Sequence, residues 1–86
     1  MAAYRIEWRP SASRAFLALP SAIQKRLAPK IDALTRNPRP PGVVKLAGLD
    51  DLHRIRVGDY RLIFQINDAA RLVVVARVAH RREAYR

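Results

Sequence analysis

The dipeptide Gly58-Asp59 is the feature that most constrains this fold, because it separates two stretches in which apolar and polar residues alternate. Glycine adopts the positive φ angles that two-residue hairpin loops require. The pattern therefore predicts a β-hairpin with strands at Leu52–Val57 and Tyr60–Asn67. Such a loop pairs Val57 with Tyr60, so the turn decides which face of the sheet each side chain occupies.

The same register collects arginines on one face of the hairpin. Arg56 falls directly across from Arg61, and Arg54 shares their face because side chains alternate along a strand. We expect Arg61 to be exposed on this face. His53 falls on the other face, where we predict a packed histidine. That face carries apolar residues expected to pack on helices: Ile55, Val57, Leu62, Phe64 and Ile66. Like charges across a sheet are destabilising, so an anionic ligand explains the arginines better than a structural need does.

Before the hairpin, the patterns indicate a strand and two helices. Residues 4–8 alternate as a half-buried strand does. Apolar residues recur at helical spacing in two groups: Ala12, Ala15, Phe16 and Leu19, then Ile23, Leu27, Ile31 and Leu34. Residues 21–24 have the pattern of a capping box, which predicts the start of the second helix. Pro29 predicts a kink or break within that helix, and the proline-rich residues 37–42 predict its end.

The remaining residues read as strands of a meander. A short strand is predicted at residues 43–46, a turn at 48–51 and a valine-rich last strand at 71–78. The prediction is therefore a single α+β domain spanning residues 1–86. It has an N-terminal strand, a two-helix hairpin and an antiparallel meander, with the helices packed on one face.

The register of the last strand depends on the length of the loop before it. A three-residue loop at 68–70 places Arg77 opposite Arg61, on the arginine-bearing face. A four-residue loop would turn Arg77 toward the helices. We expect the shorter loop, because an unpaired buried arginine is costly. In that register three apolar residues join the arginines: Ile63, Val73 and Val75.

Charge indicates the class of partner. The chain has 17 Lys and Arg against 7 Asp and Glu, a net charge of +10, and arginine dominates. Its planar fork suits phosphate, and such an excess indicates nucleic acid, a ribosome, an acidic protein or an anionic membrane surface. The N-terminus is charged and the longest apolar run, residues 72–76, is too short to span a bilayer, so we expect a cytoplasmic protein.

The sequence does not predict a metal site or a cofactor. Asp50 and Asp51 have no histidine or third carboxylate at ligand spacing, and there is no cysteine. A glycine-rich loop for phosphates and a serine-type nucleophile motif are also missing.

Three stretches resemble the RelE/ParE toxin superfamily. They are residues 45–48 (Lys-Leu-Ala-Gly), residues 53–64 (His-Arg-Ile-Arg-Val-Gly-Asp-Tyr-Arg-Leu-Ile-Phe) and residues 77–85 (Arg-Val-Ala-His-Arg-Arg-Glu-Ala-Tyr). The predicted helical hairpin lies before them in the expected place, so the resemblance covers nearly the whole chain. It implies a compact toxin that is made beside an antitoxin, which wraps and neutralises it in a hetero-oligomer.

The RelE branch of this superfamily implies a ribosome-dependent endoribonuclease that cuts messenger RNA in the A site. We expect this cut to need no metal and to use the 2′-hydroxyl of the RNA as its nucleophile. The site residues that the resemblance implies are Arg54, Arg56, Arg61, Arg81 and Tyr85. The best-known members carry lysine where this chain has Arg54 and Arg56. Arginine keeps the phosphate binding but stays charged, so it is a poor general base. Tyr85, His80 and solvent are the other candidates for that role.

Two other functions fit parts of the sequence. A ParE-like toxin, which inhibits DNA gyrase, shares the Gly-Asp-Tyr-Arg element at residues 58–61. A non-catalytic nucleic-acid-binding module fits the charge but leaves the clustered arginines unexplained. The combination of Arg54, Arg56, Arg81 and Tyr85 favours the RelE function. The expected partners are then an acidic antitoxin, messenger RNA and the ribosome, and not a membrane.

Overall fold

A computed structural model describes residues 3–46 and 51–80 of the chain, and this part contains five strands and two helices. The elements in chain order are β1 (Arg5–Trp8), α1 (Pro10–Leu17), α2 (Ser21–Ala33), β2 (Val44–Lys45), β3 (Leu52–Val57), β4 (Tyr60–Asn67) and β5 (Leu72–His80). This order confirms the predicted α+β fold. Neither helix in these ranges is long and apolar enough to cross a membrane.

The five strands form one sheet in the order β1-β5-β4-β3-β2. Strands β2 to β5 are the predicted antiparallel meander. Strand β1 lies parallel to β5, with Arg5 paired to Leu72 and Trp8 to Val75. The sequence did not predict this pairing, which makes the sheet mixed and places β4 at its centre.

The core lies between one face of the sheet and the two helices. The second predicted helical stripe is confirmed, since Leu27, Ile31 and Leu34 are buried. They contact the apolar face of the sheet, whose buried members are Ile55, Leu62, Phe64, Ile66, Val73, Val75 and Val78. Phe64 on the central strand and Leu34 just after α2 are fully enclosed. The other face of the sheet, which carries the arginines, is therefore not covered by the helices.

The capping box predicted at the start of α2 is wrong. Ser21 is the first residue of the helix, and Pro20 occupies the cap position without a side-chain hydrogen bond. Gln24 instead donates its side-chain N–H groups to the carbonyls of Leu17 and Leu19, at 3.3 and 2.8 Å. Carbonyls at a helix end lack partners within their own helix. The polar side chain therefore ties α2 to the end of α1.

Pro29 does not break α2. The helix continues through it to Ala33, although proline removes one backbone donor and crowds the preceding turn. Leu27 and Ile31, on either side of Pro29, are buried against the sheet. Tertiary packing therefore keeps this segment helical against its local preference.

The predicted register of β5 is wrong in part. The loop before it has four residues, because Asn67 pairs with Leu72, and Arg71 in that loop adopts a left-handed φ of 52°. Val73 and Val75 consequently pair with core residues of β4 and are buried, not on the face with the arginines.

An irregularity later in β5 restores the predicted side for Arg77. Phe64 pairs with Val75 whereas Ile63 pairs with Arg77, so Ala76 is an extra residue in the strand. A bulge of this kind shifts the alternation of side chains by one position. Arg77 therefore lies on the same face as Arg61, although its direct partner is Ile63. The expectation that it lies opposite Arg61 is wrong, because Arg61 pairs with Ala79.

Candidate nucleic-acid interface

Four arginines of β3, β4 and β5 lie close together on the sheet face that points away from the helices, and we call this surface the arginine face. It comprises Arg54, Arg56, Arg61 and Arg77. The predicted pairing of Arg56 with Arg61 is confirmed. Of the five predicted site residues, the structure thus brings together Arg54, Arg56 and Arg61. Arg81 and Tyr85 lie outside the described residues.

The four arginines differ in exposure. Arg56 and Arg77 are exposed and Arg54 is half-buried, whereas Arg61 is only 5% exposed. Our expectation of an exposed Arg61 is therefore wrong. Its strand is the central one, so neighbouring strands cover it on both sides. One terminal N–H of its guanidinium donates to the carbonyl of Tyr60 at 3.3 Å. Burial lowers the screening of its charge, which strengthens any interaction with an anion.

The hairpin loop holds Arg56 and contacts α2. The Nε–H of Arg56 donates to the carbonyl of Gly58 at 3.4 Å. Gly58 has a φ of +60°, and a Cβ added there would lie 2.8 Å from a guanidinium nitrogen of Arg26. Glycine suits this position because it tolerates the backbone angle and leaves room for Arg26 beside the loop. Arg26, which the fold brings to the hairpin from α2, was not among the predicted site residues.

Both histidines lie away from the arginine face. The predicted packed His53 is confirmed, since it is 5% exposed and stacks on Phe64 at 5.9 Å between ring centroids. Its Nδ1 lies 2.8 Å from the carbonyl of Asp51. A carbonyl only accepts hydrogen bonds, so Nδ1 carries the proton. His80 pairs with Tyr60 on the helix side of the sheet, and their rings meet edge to face at 5.4 Å.

A separate charged cluster lies at the other end of β4. Arg39 donates two hydrogen bonds to the carboxylate of Asp68, at 3.1 and 2.9 Å, and the hydroxyl of Tyr4 donates to the same group. The hydrogen bonds from Arg39 and then Tyr4 lower the pKa of Asp68 to about 2. The cluster joins the residue before β1, the segment after α2 and the β4–β5 loop. Its role is to connect these segments rather than to bind at the arginine face.

Within residues 3–46 and 51–80, no three histidine or carboxylate side chains lie close enough to hold a metal ion together. The groups that the arginine face offers are fixed cations beside a packed sheet. Such groups bind phosphate oxygens through charge-assisted hydrogen bonds. They also stabilise charge that develops on a phosphate during a reaction.

Comparison with known proteins gives matches over nearly the whole chain. The family model for the ParE toxin of type II toxin-antitoxin systems, parDE, matches residues 6–85. A RelE-like toxin protein of Escherichia coli is 31% identical over 80 residues, which cover 91% of this chain and 83% of that protein.

Solved structures show the same fold. A chain in the RelE–RelB complex of Pyrococcus horikoshii OT3 aligns with a TM-score of 0.82 and 31% identity, covering 96% of this chain and 99% of that one. A chain of the intact Escherichia coli RelBE toxin-antitoxin complex aligns with a TM-score of 0.81 and 28% identity, covering 91% and 96%. With the family match and the shared sheet and helix arrangement, the conclusion is that this chain belongs to the RelE/ParE family of toxins from type II toxin-antitoxin systems.

Proposed function

We propose that this toxin inhibits translation in the cytoplasm by cutting messenger RNA in the ribosomal A site. The proposed active-site residues are Arg54, Arg56, Arg61, Arg81 and Tyr85. One observation carries the proposal: Arg56 and Arg61 lie directly across from each other on neighbouring strands. Like charges in this relation weaken a sheet. A phosphate bound beside both guanidinium groups would offset their repulsion, so the arrangement suits an anionic substrate.

The proposed reaction uses the nucleophile that RNA carries itself. The 2′-oxygen attacks the adjacent phosphorus, and the bond from phosphorus to the 5′-oxygen of the next nucleotide breaks. The products carry a 2′,3′-cyclic phosphate and a 5′-hydroxyl. The arginines stabilise the charge that develops on the phosphoryl oxygens. The ribosome holds the strand with the 2′-oxygen in line with the breaking bond. No metal takes part in these steps.

The proton of the 2′-hydroxyl needs an acceptor. Arginine is unsuitable because it stays charged at all accessible pH values. His80 lies on the helix side of the sheet, paired with Tyr60, so we do not assign this role to it. Tyr85 and solvent remain as acceptors, and the 5′-oxygen that leaves takes up a proton in turn.

The proposed protein partner is an acidic antitoxin that covers the arginine face. The two structures compared above are toxin-antitoxin complexes, RelE–RelB and RelBE. A net charge of +10 favours a partner of opposite sign. Of the apolar residues that we expected on this face, only Ile63 lies there, half-buried. Val44, which is exposed and pairs with Arg54, also lies on this face, so apolar contacts would add to the attraction between opposite charges.

The test is to induce the chain in cells and to map new 5′ ends of messenger RNA. Cuts within codons that occupy the A site support the proposal. A ribosome-bound message with one deoxynucleotide at the cut position should resist cleavage, because it lacks the nucleophile. EDTA at a level that spares the bound Mg²⁺ of the ribosome should leave cleavage of normal RNA unchanged. Cleavage of the deoxy-substituted message would refute the mechanism.

Inhibition of DNA gyrase is the second candidate, because the matching family model is that of ParE toxins. A supercoiling assay with purified gyrase separates the two functions. Our proposal predicts no inhibition of supercoiling at concentrations that arrest translation. Inhibition of gyrase without new RNA ends would establish the ParE function instead.

A further inference from the structure

A groove lies beside the hairpin, next to the arginine face but not part of it. Its walls come from three places: Lys30 of α2, Pro41 and Gly42 of the following loop, and Ile55, Arg56 and Asp59 of the hairpin. Its volume is about 620 Å³, within the range of pockets that bind small ligands. Gly42 has a φ of +90°, and a Cβ added there would meet no atom within 4 Å. The groove is therefore open at this wall.

The groove is surrounded mainly by cations. Lys30 and Arg56 line it, and Arg26 lies one helical turn before Lys30 on the same flank of α2. The guanidinium of Arg26 lies beside the hairpin, where a Cβ added to Gly58 would come within 2.8 Å of it. Asp59 is the only acidic residue among the described residues of the lining. This balance favours an anionic ligand.

Arg56 links the groove to the arginine face. Its backbone pairs with Arg61 across β3 and β4, its Nε–H is held by the carbonyl of Gly58, and it lines the groove. A chain of phosphates that passes Arg56 can therefore contact both surfaces.

We propose that this groove binds the backbone of the RNA strand as a second phosphate-binding site, beside the site of cleavage. Lys30 provides the cation that is specific to the groove, and Arg56 is shared with the arginine face. The inference rests on the proposed function for the identity of the ligand as RNA. It explains why α2 presents Arg26 and Lys30 toward the hairpin, away from the buried stripe of Leu27 and Ile31.

The experiment compares Lys30→Gln with Lys25→Gln. Both residues are exposed on α2, both changes remove one charge, and glutamine keeps a high helix propensity. Lys25 does not line the groove, so it controls for the loss of overall charge. The probe is a single-stranded RNA of about eight nucleotides, with 2′-O-methyl groups that prevent cleavage. Affinity is measured over a series of salt concentrations, without ribosomes.

Lys30→Gln should weaken binding roughly three- to tenfold and reduce the slope of log affinity against log salt by about 0.7, the effect of one lost phosphate contact. Lys25→Gln should change both values far less. Because Lys30 also lies in the last turn of α2, where a cation is favourable, the unfolding midpoint is measured for each variant. A loss of affinity without a matching loss of fold supports the groove.

Equal effects of the two variants, or no effect of either, would overturn the inference. It would also fail if Lys30→Gln weakened binding of the antitoxin while leaving RNA affinity unchanged, since the groove would then be a protein contact. The proposed function is judged separately, by cleavage of ribosome-bound message with the unmodified chain. If the chain binds RNA through Lys30 but cuts no message, the groove is supported as an RNA-binding site and the proposed function is refuted.

Discussion

Replacing Gly58 tests how the hairpin is held against α2. The backbone of Gly58 has a φ of +60°, a conformation that costs a residue with a Cβ about 1–2 kcal/mol. An added Cβ would also lie 2.8 Å from the guanidinium of Arg26. That atom is the far end of a flexible side chain, so Arg26 would move away and lose its contact. We expect Gly58→Ala to lower the free energy of unfolding by about 1–2 kcal/mol.

Two further variants separate the backbone effect from the contact. Asparagine tolerates a positive φ better than alanine does. Gly58→Asn should therefore recover most of the lost stability, even though it has the same Cβ. Arg26→Ala removes the side chain that the Cβ would meet. In the Arg26→Ala background, Gly58→Ala should lower the free energy of unfolding only by the cost of the backbone angle.

The assay is urea denaturation of the single variants and of the Gly58→Ala/Arg26→Ala double variant, analysed as a double-mutant cycle. If Gly58→Asn were as destabilising as Gly58→Ala, the cost would not come from the backbone angle. If Arg26 hinders a Cβ at Gly58, the double variant should lose less stability than the sum of the two single variants. A loss greater than that sum would show that Arg26 does not hinder the Cβ. Either result would refute this account of the hairpin.

Two further predictions concern Arg61 and Asp68. Arg61→Met should abolish RNA cleavage while changing the unfolding free energy by less than about 1.5 kcal/mol, because methionine fills a similar buried volume. Arg61→Ala should lower the free energy of unfolding by roughly 2 kcal/mol more than Arg61→Met does, because it leaves a cavity. Cleavage by a folded Arg61→Met variant would remove Arg61 from the site. The pKa of Asp68 is lowered from 3.8 to about 2. Its contribution to stability is therefore present above pH 3.8 and lost as the pH falls toward 2. In the Asp68→Asn variant the urea unfolding midpoint should therefore fall less between pH 3.8 and 2 than it does in the unmodified chain. An unchanged pH profile would contradict the role given to the hydrogen bonds of Asp68.

The hairpin at the site could be predicted from sequence because a two-residue loop leaves no freedom of register. Once Val57 is paired with Tyr60, every other pair follows by counting, including Arg56 with Arg61. The loop before β5 gives no such constraint. Its fourth residue, Arg71, adopts a left-handed φ that sequence patterns assign to glycine or asparagine. The extra residue Ala76 in β5 leaves no mark in the pattern of apolar residues, so the burial of Val73 and Val75 was missed.

The burial of Arg61 could not be predicted for a different reason. The predicted meander already placed β4 between β3 and β5, where Arg61 pairs with Arg56 and Ala79. How far the neighbouring side chains cover Arg61 does not follow from the strand order alone. Alternation along the chain reports the face of a side chain but not its distance from the sheet edge. For the same reason, the approach of Arg26 and Lys30 to the hairpin could be seen only once α2 was packed on the sheet.

The parallel pairing of β1 with β5 also sets a condition on how the protein folds. The partner of Arg5 is Leu72, so within residues 3–46 and 51–80 the first strand pairs only with the last. Contacts so distant in sequence must overcome a large loop-closure entropy before they contribute stability, which slows folding. Until the ribosome has produced Leu72–His80, β1 has no strand beside it, and β4 is still an edge. The sheet that carries the arginine face is therefore assembled only after β5 has been made, so the proposed active surface is incomplete while β5 is still being synthesised.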